Sequence, residues 1–129
     1  MNLLDENIPE HQRQLLRGWR ISVRQIGVDV GDKGLPDDTI LMLLHQLSRP
    51  TFFSRDDDFY QQTLCHRAYC LVHLAVSQYE VASFVCRFLR HPLFATDSRR
   101  RGVVVRVGHN GLHVWRLHAT AEEGVPWPQ

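Results

Sequence analysis

Lysine is nearly absent from this chain: Lys33 stands alone, and the other fourteen of its fifteen cationic side chains are arginines. Almost every cation is therefore a planar guanidinium, able to grip phosphate through two parallel bonds. Cysteine is scarce too. Cys65, Cys70 and Cys86 make an odd number, which rules out a fully paired disulfide framework. The apolar start at residues 1–4 runs straight into Asp5 and Glu6, with no cleavable signal pattern, so a reducing cytoplasm is the expected setting. No apolar run approaches the roughly 20 residues that a membrane-spanning helix needs, and a soluble protein without a membrane partner is expected. Internal repeats and low-complexity tracts are missing, and no Ser-His-Asp set has motif context around it.

What is present suits one folded domain. The 129 residues allow a single hydrophobic core, and 43% apolar with 22% charged side chains is ordinary for a globular protein. Residues 1–119 are read as the domain and 120–129 as a tail, loose from Gly124 onward. The net charge of +1 conceals an uneven pattern: acids gather at 5–10, 29–38 and 56–58, arginines at 13–24 and 99–101.

Residues 2–7 read as a short buried strand ending in acids. Pro9 and Glu10 open a helix over 9–17, Gly18 stops it, and Ile21, Val23 and Ile26 suggest a second strand. The glycines and aspartates of 27–36 mark a loop. Asp37 or Asp38 can cap the next helix, in which Ile40, Leu43, Leu44 and Leu47 recur at helical spacing until Pro50. Residues 51–54 form a β-rich run that again ends in acids, at 56–58. A strand over 71–76 and a helix near 78–90 follow. Residues 103–107 and 112–117 flank Asn110-Gly111, the signature of a tight hairpin turn. Strand and helix alternate, which predicts an α/β fold of three layers, α/β/α, around a mainly parallel sheet closed by a C-terminal hairpin. Sites in such folds lie at the carboxyl ends of the strands.

Asp5 and Glu6 follow one strand, residues 56–58 follow another, and Asp37 and Asp38 begin the helix between them. All three places can meet at one sheet edge. Carboxylates crowded together resist joint ionisation unless a cation intervenes, and hard oxygen donors suit magnesium or manganese. Such an ion can activate water and neutralise a phosphodiester. Each acid taken singly also fits a solvated turn or a helix cap.

Four runs then resemble a family of short PIN-like proteins, in the right order: Leu3-Leu4-Asp5-Glu6-Asn7-Ile8-Pro9; Gly18-Trp19-Arg20-Ile21-Ser22-Val23-Arg24-Gln25-Ile26-Gly27; Pro36-Asp37-Asp38-Thr39-Ile40-Leu41; and Phe53-Ser54-Arg55-Asp56-Asp57-Asp58-Phe59. With the closing hairpin, the likeness covers nearly the whole chain. It implies metal ligands at Asp5, Asp37, Asp56 and Asp58, the same four being catalytic, with Glu6 and Ser54 supporting and Asp38 as the alternative to Asp37. It further implies a magnesium- or manganese-dependent nuclease that hydrolyses single-stranded RNA, often the VapC-type toxin of a toxin–antitoxin pair. The expected partners are therefore an RNA substrate, a cognate antitoxin and a second copy in a homodimer. The chain departs from the family in placing Asp57 between the two aspartates and in a Gln-, Cys- and His-rich loop after Phe59.

The cation run Arg99, Arg100 and Arg101 can hold a phosphate backbone or line a solvated loop. Arg13, Arg17, Arg20 and Arg24 can extend such a surface or simply face water. Arg55 is the cation best placed to meet a scissile phosphate, or else it pairs with Asp57. Cys65, His66, Cys70 and His73 lack the second half of a zinc motif, and His73 falls within a buried strand. His109, His113 and His118 read as surface residues. A phosphoacceptor receiver needs a lysine late in the chain, which is missing. A PIN-like fold acting as an RNA- or protein-binding module is the alternative function.

Overall fold

Seven strands form one sheet in the computed structural model, which describes residues 1–129. In chain order they are β1 (Asn2–Leu4), β2 (Arg24–Gln25), β3 (Thr51–Ser54), β4 (Cys70–Leu74), β5 (Val103–Gly108), β6 (Gly111–Arg116) and β7 (Glu123–Val125). Across the sheet the order is β2-β1-β3-β4-β5-β6-β7. The first five run parallel, and β6 and β7 are antiparallel. The helices are α1 (Glu10–Gly18), α2 (Asp37–Gln46), α3 (Val81–Arg90) and the single turn α4 (Asp97–Arg100).

Side chains alternate between faces along a strand, so parity decides which core each residue joins. Leu4, Phe53, Val72, Leu74, Val103, Val105 and Val107 face α1 and α3, packing with Leu16, Val85 and Phe88. Leu3, Phe52, Leu71 and Val104 face the other way, onto Ile40 and Leu44 of α2 and onto Phe59. This is the expected three-layer α/β/α arrangement, with the mainly parallel sheet and the C-terminal hairpin both present. No helix is long and apolar enough to cross a membrane.

The α2 face changes character two residues further along each strand. Leu3 is followed at that period by Asp5, Phe52 by Ser54, Leu71 by His73 and Val104 by Arg106. An apolar row thus gives way to a polar one at the carboxyl ends of the parallel strands.

Three local expectations are corrected. The first strand stops at Leu4 rather than Asn7, because Asp5 Oδ1 accepts the Glu6 N–H and the Ile8 N–H bonds the Asp5 carbonyl, closing a turn. The second strand shrinks to Arg24–Gln25. Arg20 at φ +64° and a bond from Ile21 N to Leu16 O keep the preceding residues in the helix exit, and Gly27 at φ +81° turns the chain away. The end of the chain is not loose: β7 pairs with β6, Val125 is buried, and Trp127 Nε1 donates to Gly108 O at 2.8 Å. Gly and Pro suggested a coil there, but β6 offers an open edge whose backbone groups need partners.

Candidate metal and active site

Asp5 leaves β1 on the α2 face and is 8% exposed. The Ser54 hydroxyl donates to its Oδ2 at 2.6 Å, and the Glu6 N–H donates to Oδ1 at 2.8 Å. Burial holds its carboxyl above the usual range, with Glu6 and Asp56 adding to the rise, and these two bonds pull it partly back. Behind it, the buried Gln25 amide donates to the carbonyls of Asp5 and Ile8 at 3.0 and 2.8 Å, fixing the turn that carries the acid.

β3 ends on Ser54, whose Oγ also accepts the Asp56 N–H at 3.0 Å. Asp56 then caps a 3-10 helix, Asp57–Phe59, by accepting the Asp58 N–H at 2.9 Å. Phe59 anchors this turn in the core against Phe52. One short segment thereby brings two carboxylates to the same place.

The third comes from α2. Pro36 is the N-cap residue, and Asp37 follows in the first turn without making a capping bond. The cap reading of Asp37 is thereby set aside: its carboxylate is turned toward Asp56 and Asp58. Asp38 instead bonds the neighbouring Thr39 N–H at 2.8 Å. Glu6 serves the loop that delivers α2, its Oε1 accepting the Gly34 N–H at 2.8 Å. Gly34 sits at φ +76°, a conformation that glycine adopts without strain.

Oxygen atoms of Asp37, Asp56 and Asp58 lie within 4.8 Å of one another, all on exposed side chains, and this group can hold a metal ion. Loss of solvent and the charges of Asp56, Asp58, Asp5 and Asp38 raise the Asp37 pKa above the usual value. The donor set is made of hard carboxylate oxygens, and the open side leaves room for water and a ligand. A divalent cation held there would relieve the repulsion that adds to this rise. Asp5 is not part of the triad. It stands behind, close enough to act on the charges of both Asp37 and Asp56.

The cations are distributed otherwise than expected. Arg55 is exposed beside the acids, and its Nε donates to Val76 O at 3.0 Å rather than pairing with Asp57. The run at 99–101 lies at the opposite, amino-terminal end of the sheet. Arg100 is buried there, donating to Thr51 Oγ1 at 3.0 Å, Phe94 O at 2.7 Å and Asp97 at 2.7 Å, so it is a structural cation and not a phosphate ligand. Arg99 donates to Pro92 O, and Arg101 is exposed. Arg13 and Arg17 pair with Asp29 in the loop before α2. Cys70 and His73 point to opposite faces of β4, and the aspartate triad is the only group of three or more potential ligands.

Two side chains near the acids were not read as site residues in the sequence: His73, placed there only in a buried strand, and Arg106, not singled out. His73 is 7% exposed, next to Ser54 in register, and its Nδ1 has no partner. Burial and the Arg106 charge depress its pKa. Arg106 is its neighbour on β5. The signal available for both was a polar residue two places after a core leucine or valine. No family model, no curated protein and no solved structure matches the chain.

Proposed function

We propose that the chain is a metal-dependent nuclease of the PIN-like kind, hydrolysing phosphodiester bonds of single-stranded RNA. The observation that carries the reading is the approach of Asp37, Asp56 and Asp58 within 4.8 Å at the carboxyl ends of parallel strands, with buried Asp5 behind them. Ligands gather at that edge in α/β sheets.

In this reading Asp37, Asp56 and Asp58 hold magnesium or manganese. The bound ion supplies Lewis-acid activation of water and neutralisation of charge on the phosphodiester. Asp5, its carboxyl raised by burial, is assigned here as the base that takes a proton from the attacking water. Ser54 orients it. Arg55 faces the developing charge on the phosphate. Water adds to phosphorus, the bond to one ester oxygen breaks, and a phosphate monoester and a free hydroxyl result. The toxin role, the antitoxin partner and the homodimer rest on the PIN-like resemblance of residues 3–9, 18–27, 36–41 and 53–59.

The test is cleavage of a panel of single-stranded RNAs by the purified protein, with magnesium, manganese or chelator. Cleavage that needs the metal and is lost in Asp5→Asn and Asp56→Asn, while both variants keep the fold, supports the reading. Persistent cleavage by both variants sinks it, and an inactive wild type favours the binding module.

A further inference from the structure

The polar row on the α2 face does not end at the acids. Asp5 and Ser54 are joined by a hydrogen bond, Ser54 stands opposite His73, His73 opposite Arg106, and Arg106 opposite His113. Neighbouring strands lie about 4.8 Å apart, so the Arg106 backbone is about 10 Å from Ser54. The row leads from the carboxylates to a cation.

Arg106 is held in an unusual way. Its guanidinium carbon stands 4.3 Å from the centre of the Tyr60 ring, and no carboxylate lies within salt-bridge range of it. Tyr60 is itself pinned, its hydroxyl donating to Glu122 Oε2 at 2.6 Å, while Glu122 Oε1 stands 3.3 Å from His113 Nδ1. Tyr60 directly follows the turn that carries Asp58. A single segment therefore supplies two of the triad carboxylates and the ring beneath the arginine.

A guanidinium stacked on an aromatic face keeps its N–H edges free for a planar acceptor. Here the guanidinium rests on the Tyr60 ring and makes no ion pair. Between the two charges stands His73, more than nine-tenths buried, with an unpartnered Nδ1. Beyond Arg106 an open groove of about 450 Å³ continues along the same edge of the sheet, lined by Arg106, His109, Asn110 and His113 with the hairpin backbone.

Resting on the nuclease reading, we infer that Arg106, seated on Tyr60, binds a backbone phosphate of the substrate strand adjacent to the one at the acidic triad, and that the groove beyond it is the path of that strand. A contact of this kind grips phosphate and reads no base. The protein then holds single-stranded RNA with little sequence preference on this side of the cut.

The experiment uses full-length protein carrying Asp5→Asn, which keeps the triad and is expected to be impaired in cleavage, with magnesium and fluorescent single-stranded RNAs of unrelated sequence. Adding Arg106→Gln is expected to weaken binding about tenfold, evenly across the sequences, and to lower the salt slope by about one. Arg106→Lys is expected to restore the slope and part of the affinity. Arg90→Gln, a cation on α3 across the sheet, is expected to change binding less than about twofold. Unfolding midpoints of all variants check that the fold survives. Unchanged binding in Arg106→Gln, an equal loss in Arg90→Gln, or no binding by the parent overturns the inference. A wild type that cuts nothing, yet loses RNA binding through Arg106→Gln, overturns the nuclease reading and leaves the binding row standing.

Discussion

The Ser54 hydroxyl donates to Asp5 Oδ2 at 2.6 Å and accepts the Asp56 N–H at 3.0 Å, so one side chain ties the acid after β1 to the acid after β3. Ser54 is fully buried, which makes both bonds expensive to lose.

Ser54→Ala leaves a buried carboxylate short of its donor and is expected to cost about 1–3 kcal/mol in urea unfolding. On the proposed nuclease reading, RNA cleavage is expected to fall with it, because Asp5 loses its orientation and the Asp56 turn loses its anchor. An unchanged midpoint contradicts the role assigned to this hydroxyl.

His73→Leu extends the apolar row of Leu71 and removes a buried nitrogen with no partner. It is expected to raise stability by about 1 kcal/mol near neutral pH. The gain depends on pH. The folded pKa of His73 lies below the unfolded value near 6.5, so below about pH 6.5 the unfolded wild type binds the extra proton and stability drops as pH falls. The leucine variant lacks that loss, and its advantage over the wild type widens between about pH 6.5 and 5. A gap that narrows on acidification counts against the buried neutral imidazole. RNA binding measured alongside separates its structural cost from any use in the strand path.

Arg100→Ala removes a buried guanidinium that holds the start of β3, the Phe94 carbonyl and Asp97 together. Asp97 is half exposed, so solvent discounts that pair, and a loss of about 2 kcal/mol is expected from the buried hydrogen bonds. On the proposed nuclease reading, cleavage is expected to stay at the wild-type rate, because the residue lies at the far end of the sheet. Arg101→Ala, a change at an exposed side chain, is expected to stay within about 0.5 kcal/mol of the wild type. Loss of RNA binding in Arg100→Ala without loss of stability contradicts this placement.

Trp127→Ala tests the closure of the hairpin edge. Its indole donates to Gly108 O, and Arg87 stacks 4.2 Å from its ring. A loss of about 2 kcal/mol is expected. A chain that melts unchanged returns the last residues to the loose tail expected from their composition.

Much of this was legible in advance, for specific reasons. Period two in Leu3 to Asp5 and Phe52 to Ser54 marks strands whose ends turn polar, and the helical spacing of Ile40 and Leu44 marks α2. Parallel strands then force these ends to one edge, so the meeting of Asp37 with Asp56 follows from topology. The relative standing of Asp5 and Asp58 did not follow. It depends on the 3-10 turn at 57–59, which carries Asp58 forward, while the Ser54 bond draws Asp5 back. Arg100 read as a phosphate ligand because a cluster of arginines shows charge and hides burial. Arg106 and His73 lay inside β-rich runs, and only strand register shows that they share a face with the acids.

The measurement closest to the central claim is calorimetric titration of manganese into the wild type and into Asp37→Asn, Asp38→Asn and Asp58→Asn. One ion bound by the wild type is expected, with affinity at least about tenfold weaker in Asp37→Asn and Asp58→Asn, each of which removes a charged ligand. Asp38→Asn is expected to bind as the wild type does. No binding by the wild type, or a loss in Asp38→Asn equal to that in Asp37→Asn, contradicts the triad as the metal site.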